Sequence, residues 1–390
     1  MKKNILLASS CTTRGNTGGL TSKFVERLLL NSDLVNVDLL DISFEKKSKT
    51  DVFHANRYYR VPVNTIIRLL LKIPRLRRYV RENYVNKSLE RLLKTTNYSL
   101  LVIYELPLFV DSMVTVAHKN NVKVLLYPWG SDVLRANTFK LQRIESAINA
   151  SDYIGGYQNS GTINYILYNY PISKQKITLF SVVTPGIRDI EQLENKYSKA
   201  EMSQELEIPF AGMNIICGYN GVEGQRHREI IENIYKIKNK LPKDYQLIFP
   251  ITYGNNQTYY QEIKDLCQKY QLRAIFLEKF LTSKQMACLH LVTDLFINVQ
   301  PTDNGNAFLM EALSSNNAIL VGKWLKYPQF EKYGIPYYQC ENLDDLHLYI
   351  EKFVNGDYKS KVPAELIHEL RSRTIETLKE EWRFFIDNKI

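Results

Sequence analysis

Two carboxylates lie eight positions apart in the stretch QPTDNGNAFLMEAL, residues 300–313, with Asp303 before a glycine and Glu311 after it. The apolar run before them predicts a buried strand, and NAFLMEALSSN predicts a helix that Asp303 or Asn304 could cap. Backbone N–H groups at such a helix start favour a phosphate group, and Gly305 would allow its close approach. The loop carboxylate would suit sugar hydroxyls, and Glu311 could accept a hydrogen bond from a ribose hydroxyl. In the alternative interpretation, Asp303 merely caps the helix and Glu311 lies on its solvent side.

Strands and helices alternate along both halves of the chain, which predicts parallel sheets. A charged stretch that ends near residue 208 interrupts the alternation and is typical of a linker or a loosely packed helix. We therefore expect two doubly wound α/β domains in tandem, with ligands at the carboxyl ends of their strands. The strands are predicted at residues 4–9, 35–41, 100–105, 122–128, 151–158 and 177–182, and then at 213–219, 246–252, 274–280, 295–300 and 318–322.

Length and composition set limits on the class of protein. A chain of 390 residues with 45% hydrophobic and 24% charged residues is globular and long enough for two domains. No apolar run approaches the roughly 20 residues of a membrane-spanning helix. The start MKKNILLASSC has an apolar core of only about five residues against the roughly 7–15 of a secretion signal, so we interpret it as the first strand. Five scattered cysteines without a CxxC pair indicate neither a disulfide framework nor a zinc site, and a reducing cytoplasm fits best.

Most of the net charge of +10 lies in one segment, because nine Lys or Arg and only two Glu occupy residues 68–94. Apolar residues recur there at helical spacing, and Pro74 indicates either a kink or the start of a second helix. A basic amphipathic helix pair suits an anionic membrane surface. Alternatively, it is a solvated helix with its apolar side in the core. Nucleic acid is not expected, since no zinc-finger or RNP-type pattern accompanies the charge. We assign four arginines to a membrane or acceptor surface: Arg75, Arg77, Arg78 and Arg81.

An ordered series of motifs resembles the glycosyltransferases of the GT-B fold, similar to the large retaining family four. The series comprises GNTGG (15–19), WGSD (129–132), ASDYIGGYQNSGTINYI (150–166), VTPGI (183–187), QMACLHLVTDLFINVQP (285–301) and the acidic-x7-acidic element with its EAL helix. This resemblance implies two Rossmann-like domains with a cleft between them. Residues 1–186 would form the acceptor side and residues 205–363 the nucleotide-sugar-binding domain. The helices of residues 364–390 would pack back toward the N-terminal domain.

The resemblance also implies roles for the acidic pair. The family usually has two glutamates, of which the first touches donor sugar hydroxyls and the second holds the nucleotide ribose. These positions are Asp303 and Glu311 here, and the shorter Asp departs from the family pattern, so that either a different donor sugar or a weaker involvement of Asp303 is to be expected. The donor phosphates would be held by the backbone amides of Asn304, Gly305, Asn306 and Ala307.

Basic side chains of the second domain neutralise the leaving diphosphate in the family. GYNGVEGQRHREII (218–231) departs from the usual spacing, which leaves Arg226 as the first candidate and His227 as the second. A guanidinium binds phosphate oxygens bidentately and stays charged as the bond breaks. Lys279, in a loop that commonly faces the nucleotide base, is a third candidate. For each of the three, the alternative is an ordinary surface charge.

The first domain offers two more candidates. Asp132 ends WGSD at a predicted strand end, where it would orient an acceptor or donor hydroxyl; the alternative is a turn in which Gly130 bends the chain and Asp132 caps the next helix. Gly18, in the GNTGG loop, would approach the donor phosphate or the acceptor. With Asp303 and Arg226, Asp132 completes the residues that we expect to be catalytic.

The expected reaction is transfer of a hexosyl or N-acetylhexosaminyl group from a UDP-linked donor. The chain has no Asp-x-Asp motif, so we expect no metal and no other cofactor, with Arg226 and helix amides in place of a cation. The family retains configuration, and the leaving group then takes the acceptor proton. The acceptor would be a lipid-linked saccharide or another glycan, bound at the inner face of the membrane during synthesis of a surface polysaccharide. ITYGNNQTYY (251–260) is also similar to enterobacterial fucosaminyl transferases.

Two other functions stay open at this point. The first is a GT-B enzyme of another kind, either a transferase with a soluble acceptor or a nucleotide-sugar epimerase. The second is an inactive nucleotide-sugar-binding protein that keeps the fold, an idea that the aspartate at position 303 weakly favours.

Overall fold

The computed structural model describes residues 2–10, 17–44, 54–157, 160–254 and 256–390. Two compact units make up the chain. The first comprises Met1–Val182 and Ile375–Ile390, and the second comprises Val183–Thr374. The sequence-based boundary at residue 186 lies close to this division, whereas those at residues 205 and 363 lie inside the second unit.

The first unit is built on a seven-stranded parallel sheet with the order β3-β2-β1-β4-β5-β6-β7. Its strands are β1 (Lys3–Ser9), β2 (Val35–Asp41), β3 (Arg57–Arg60), β4 (Leu100–Tyr104), β5 (Lys123–Tyr127), β6 (Tyr153–Gly156) and β7 (Ile177–Leu179). Its helices up to residue 169 are α1 (Thr17–Leu29), α2 (Thr65–Leu70), α3 (Pro74–Thr95), α4 (Val110–Lys119), α5 (Ser131–Leu134), α6 (Thr138–Ala150) and α7 (Gly161–Asn169). The central strand β4, LLVIY, is buried throughout, as expected for a parallel strand covered on both faces.

The second unit has a six-stranded parallel sheet with the order β10-β9-β8-β11-β12-β13. Its strands are β8 (Met213–Cys217), β9 (Tyr245–Pro250), β10 (Ala274–Leu277), β11 (Leu295–Asn298), β12 (Ala318–Gly322) and β13 (Tyr338–Cys340). Its helices are α8 (Pro185–Leu193), α9 (Lys199–Glu205), α10 (His227–Lys236), α11 (Gln257–Lys269), α12 (Ser283–Val292), α13 (Ala307–Ser314), α14 (Pro328–Glu331), α15 (Leu346–Val354) and α16 (Ala364–Ser372). The predicted class, two doubly wound α/β units in tandem, is confirmed.

The charged stretch before residue 208 is ordered, because it forms α8 and α9 and both pack against α12. The last helix, α17 (Ile375–Lys389), belongs to the first unit. There, Trp382 stacks on Phe180 with ring centroids 3.9 Å apart, and Lys3 donates a 2.7 Å hydrogen bond to the carbonyl of Ile386.

The basic segment forms two helices, and Pro74 begins the second of them, so the alternative of a helix start is confirmed. The distal part of α3 turns Val80, Val85, Leu89 and Leu93 into the core. A row of apolar side chains on α2 and the start of α3 is exposed instead: Ile66, Leu69, Ile73, Leu76 and Tyr79. The interpretation with the apolar side in the core therefore holds for the distal part of α3 and for Ile67 of α2. Among the helices of the described residues, none combines the length and apolar character needed to cross a bilayer.

Each sheet has a point where the connections reverse direction. In the first unit it lies between β1 and β4, and in the second between β8 and β11. Loops at the carboxyl ends of such a strand pair diverge and leave room for a ligand. Asp303 follows β11 and Arg226 follows β8, so the fold places both candidates at the same reversal point of the second unit.

Candidate functional site

Asp303 is the centre of a hydrogen-bond network at the carboxyl end of β11. Its Oδ2 accepts from the side-chain amides of Asn298 (3.0 Å) and Asn306 (2.9 Å) and from the hydroxyl of Tyr327 (2.8 Å). Its Oδ1 accepts from the backbone N–H of Asn304 at 2.8 Å. Burial raises the pKa of Asp303 above its ordinary value, although these bonds oppose the shift. The carboxylate thus holds the loop before α13 in one conformation.

The helix start that the sequence predicted is present, but its cap is a different residue. Asn306, and neither Asp303 nor Asn304, is the N-cap of α13, since its Oδ1 accepts from the backbone N–H of Leu309 at 3.0 Å. Asp303 supports the cap indirectly, because it accepts a hydrogen bond from the side-chain amide of Asn306. Gly305 adopts the left-handed φ of +73°, and a Cβ there would collide with the side chain of Gln329. Ala307, the first residue of the helix, is exposed.

Glu311 lies one turn into α13 and is only 6% exposed, so the alternative that it faces solvent is wrong. Its Oε2 is 3.2 Å from Nε2 of His290, which lies on α12 and is fully buried. Because a carboxylate only accepts hydrogen bonds, Nε2 of His290 carries the hydrogen. The other oxygen, Oε1, faces Gly186 in the first turn of α8, where any side chain would collide with it. The carboxylate is thereby positioned from α12 and α8 at once.

A second network, which the sequence motifs did not predict, joins the loops after β8 and β11. Gln225 accepts from the backbone N–H of Tyr219 at 3.1 Å and donates to Oε1 of Gln300 at 3.3 Å. Gly218 has a φ of +69°, and a Cβ there would press on both Gln225 and His227. The glycines of GYNG and the amide side chains at two strand ends were the available sequence signal for this network.

Arg226 is the best-placed cation of the second unit. It adopts the left-handed conformation (φ 61°, ψ 40°) at the N-cap position of α10, which is rare for a residue with a side chain. Its guanidinium lies 5.3 Å from the ring centroid of Trp324. With the carboxylates of the described residues it forms no ion pair, so the charge remains available for an anion.

His227 and Lys279 differ from Arg226 in ways that matter for a phosphate. His227 is fully buried, and burial lowers its pKa to about 4, so the ring is neutral near pH 7 and supplies no positive charge. Lys279 is 88% exposed and lies 3.7 Å from the carboxylate of Glu207. It follows β10, which is two strands away from β8. The structure therefore brings Arg226 to the corner formed by β8 and β11, buries His227 beside it as an uncharged ring, and places Lys279 elsewhere.

An aromatic pair lies at the ends of β9 and β10. The rings of Tyr253 and Phe280 are nearly parallel, with centroids 6.1 Å apart, and Phe280 is 61% exposed. The side-chain amide of Asn220 donates to the Tyr253 hydroxyl at 3.5 Å, so the pair is connected to the loop after β8. A flat, exposed ring of this kind can stack on a planar base.

Asp132, in the first unit, is buried and fully engaged with the backbone. Its carboxylate accepts from the N–H groups of Leu106 (2.8 Å), Trp129 (3.0 Å) and Gly130 (2.9 Å). Burial raises its pKa, and Gly130 has a φ of 105°. The geometry fits the turn interpretation, with the difference that Asp132 holds the turn before α5 and does not cap the helix itself.

The remaining candidates of the first unit separate into two groups. Gly18 lies in the first turn of α1, and residues 15 and 16 of its loop are outside the described residues. All four arginine candidates of α3 are exposed; Arg77, Arg78 and Arg81 line one cavity, whereas Arg75 does not border it. Within the described part of the chain, no group of three or more His, Cys, Asp or Glu side chains is arranged to hold a metal ion. The four described cysteines are free and buried.

The architecture of this chain is similar to that of solved GT-B proteins. WaaB, a lipopolysaccharide outer core galactosyltransferase in its apo form, matches with a TM-score of 0.65 and 13% sequence identity over 100% of each chain. HepE from Anabaena, in complex with UDP and glucose, matches with a TM-score of 0.68 and 12% sequence identity over 99% of each chain. UDP-GlcNAc 2-epimerase from Neisseria meningitidis, bound to UDP-GlcNAc, matches with a TM-score of 0.57 and 11% sequence identity over 99% of each chain.

At these identities the similarity establishes the fold, so the prediction of a GT-B fold is confirmed at that level. No protein-family model matches the sequence, and the curated proteins contain no match to it.

Proposed function

We propose that this chain is a glycosyltransferase whose second unit binds a nucleotide-diphosphate sugar, with UDP as the expected carrier. The observation that carries the proposal is the corner at the carboxyl ends of β8 and β11. A capped helix start, the positioned carboxylates Asp303 and Glu311, and the guanidinium of Arg226 all belong to that corner. HepE, which shares the fold, was solved with UDP and glucose.

Each part of the corner suits one part of the donor. The amides of residues 304–307 would bind the diphosphate at the start of α13, together with Arg226. Glu311 would accept a hydrogen bond from a ribose hydroxyl through Oε1, since His290 holds Oε2. The exposed ring of Phe280 would stack on the base. Asp303 acts as a positioning residue for the phosphate-binding loop, and through the loop it affects which sugar is accepted.

The chemistry requires a stabilised leaving diphosphate and a sheltered sugar carbon. Arg226 and the helix amides would supply fixed positive potential as the sugar–phosphate bond breaks. We infer a metal-independent reaction that retains configuration, in which the leaving phosphate takes the proton of the acceptor. Neutral His227 takes no part in charge stabilisation.

The acceptor would bind the first unit. The exposed apolar row of α2 and α3, beside the arginines of α3, fits a lipid-linked saccharide at an anionic membrane surface. WaaB, which shares the fold, is a lipopolysaccharide outer core galactosyltransferase. We therefore place the reaction in surface polysaccharide synthesis at the inner face of the membrane, with transfer of a hexosyl or N-acetylhexosaminyl group.

Epimerisation is the second candidate, since UDP-GlcNAc 2-epimerase shares the fold. An epimerase would interconvert a UDP-N-acetylhexosamine without any acceptor, whereas a transferase releases UDP and transfers the sugar. Product analysis by NMR separates the two. A chain that binds nucleotide sugars without releasing UDP or forming an epimer would be the inactive binding protein.

The test is UDP release from a panel of UDP-sugars by the wild type and by Glu311→Ala and Arg226→Ala. We expect at least about tenfold slower release in both variants, because each loses a charged contact to the donor. Arg228→Ala is the matched control. Arg228 is two positions from Arg226 and forms ion pairs with Glu223 and Glu262 at the surface. Undiminished release in Glu311→Ala and Arg226→Ala would contradict the proposed site.

A further inference from the structure

A cavity of about 440 Å³ lies at the carboxyl end of the first sheet, at the reversal point between β1 and β4. Four cations border it: Arg77, Arg78 and Arg81 from α3 and Lys140 from α6. One carboxylate, Glu105, borders it from the end of β4. With Glu105 ionised, the lining carries three more positive than negative charges.

Two of the four cations, Arg77 and Arg78, form no ion pair with any carboxylate of the described residues. Arg77 is held by a 2.9 Å hydrogen bond from Nε to the carbonyl of Leu71, which leaves its terminal nitrogens for a ligand. The guanidinium of Arg78 lies 4.7 Å from the ring centroid of Phe139.

The neighbouring carboxylates are engaged elsewhere. Glu82 on α3 and Asp111 on α4 each lie 2.6 Å from the guanidinium of Arg143, which is partly buried between them. They therefore do not compensate the arginines of the cavity. Arginines such as Arg77 and Arg78, which line a cavity without a carboxylate partner, form a site for an anion, and a planar guanidinium suits phosphate oxygens.

Glu105 has an unusual backbone and an unsatisfied side chain. Its φ is +68°, a left-handed conformation that costs roughly 1–2 kcal/mol for a residue with a side chain. Four other such residues, Asn121, Glu207, Gln271 and Asn316, directly follow helix ends, where this conformation is common. Glu105 instead follows a buried strand, and strain at such a position is often kept for function.

The Oε2 atom of Glu105 is buried without a hydrogen-bond partner among the described residues. Burial, together with the charge of Asp132, raises the pKa of Glu105 to about 7, and Lys140 opposes this shift. A buried carboxylate oxygen that lacks a donor would gain one from a ligand hydroxyl.

We propose that this cavity binds the phosphate or diphosphate group of the acceptor through Arg77, Arg78, Arg81 and Lys140, while Glu105 accepts a hydrogen bond from an acceptor hydroxyl. The inference rests on the proposed function and narrows it, because it makes the acceptor a phosphorylated saccharide. The exposed row formed by Ile66, Leu69, Ile73, Leu76 and Tyr79 passes Pro74, which borders the cavity. A hydrocarbon chain attached to the diphosphate would cover this row.

The first experiment titrates inorganic pyrophosphate by calorimetry into chains that carry Arg226→Ala, so that the candidate phosphate site of the second unit is disabled. In this background, Arg77→Ala with Arg78→Ala should weaken binding about tenfold or more. Arg91→Ala, which removes an exposed arginine from the same helix outside the cavity, should change it by less than about twofold. Equal affinity in the double variant and its parent, or an equal loss in Arg91→Ala, would overturn the proposal.

The second experiment tests Glu105 with glucose 1-phosphate, which has hydroxyls, beside pyrophosphate, which has none. Glu105→Ala should weaken the binding of glucose 1-phosphate about fivefold to tenfold. The affinity for pyrophosphate should stay equal or increase, because a negative charge is removed. If Glu105→Ala lowers the affinity for both ligands by the same factor, Glu105 does not contact the hydroxyl and that part of the proposal is wrong.

A third comparison identifies the source of the phosphate. Farnesyl diphosphate in neutral detergent micelles should bind at least about tenfold more tightly than pyrophosphate, and Leu69→Ser with Tyr79→Ser should abolish the difference. Equal affinity for the two ligands assigns the cavity to a soluble phosphorylated acceptor. A chain that binds pyrophosphate through Arg77 and Arg78 but turns over no donor contradicts the proposed function and leaves the cavity assignment in place.

Discussion

At the scale of single residues, the candidate site depends on carboxylates that the fold has taken out of solvent. Asp303 accepts four hydrogen bonds, Glu311 is held by His290, and Asp132 accepts three backbone N–H groups. Two of the three thus organise loops, whereas Glu311 keeps one oxygen without a hydrogen bond to His290. Burial and partners, and not the residue type alone, separate positioning carboxylates from those that can contact a ligand.

Replacing Asp303 tests its positioning role. Asp303→Asn should destabilise the second unit by roughly 1–3 kcal/mol, because both carboxylate oxygens accept hydrogen bonds and the NH2 group of Asn would face a donor in either orientation. Urea denaturation followed by circular dichroism measures the loss. We also expect weaker donor binding, since the loop before α13 loses its anchor. A variant with wild-type stability would show that the network does not hold the loop.

The pKa of Glu105 predicts a pH dependence of stability. The pKa is about 7 in the folded chain against 4.5 ordinarily, so the folded state binds the proton more tightly. The resulting stabilisation is fully present below about pH 4.5 and is lost as the pH rises through about 7. At about 1.4 kcal/mol per pKa unit, the wild type should lose at most roughly 3 kcal/mol relative to Glu105→Gln over this window. Parallel stability curves for the two proteins between pH 4.5 and 8 would contradict the shift.

At the scale of elements, the candidate residues lie in loops at the carboxyl ends of strands, and helices support these loops. The start of α13 and the loop before α10 supply the candidate donor contacts, while α3, α6 and β4 enclose the basic cavity. The last helix, α17, supplies no candidate residue, but its aromatic side chains complete the core of the first unit.

The contribution of α17 to stability can be measured by substitution. Trp382→Ala should destabilise the first unit by about 3–5 kcal/mol, because the buried ring stacks on Phe180 and contacts Phe24 and Phe385. Phe384→Ala, on the same helix but 65% exposed, should change stability by less than about 0.5 kcal/mol. Similar losses in both variants would mean that α17 does not pack as described.

The helix pair α2 and α3 should bind anionic vesicles. We expect flotation of the chain with vesicles rich in phosphatidylglycerol, weakened by high salt and by Leu69→Ser with Tyr79→Ser, which remove exposed apolar side chains. Tyr168→Ser, an exposed tyrosine on α7, is the control and should float like the wild type. No flotation at physiological salt would favour a soluble acceptor.

At the scale of the whole molecule, the repeating rhythm of the sequence predicted the two units, because central strands such as β4 and β8 are apolar runs. The edge strands β3 (RYYR) and β13 (YQC) were missed, since short and partly exposed strands lack such a run. Sequence motifs located Asp303 and Glu311. Their partners were not predictable, because Tyr327 and His290 reach them only through tertiary packing over more than 20 residues of chain.

The same limit applies to the basic cavity. The charge of residues 68–94 was evident in the sequence, but it is the fold that brings Arg77 and Arg78 beside Glu105 and Lys140. The sequence likewise left open whether the apolar side of α2 and α3 faces solvent or the core, and only the packing of the folded chain distinguishes the two.

The most direct test of the account is calorimetric binding of UDP-sugars to the wild type, Glu311→Ala, Arg226→Ala and the control Arg228→Ala. We predict that at least one UDP-sugar binds the wild type, that affinity falls about tenfold or more in Glu311→Ala and Arg226→Ala, and that Arg228→Ala stays within about twofold. Circular dichroism melts verify that each variant is folded. Wild-type affinity in both site variants, or no binding of any nucleotide sugar to the wild type, would contradict the central claim.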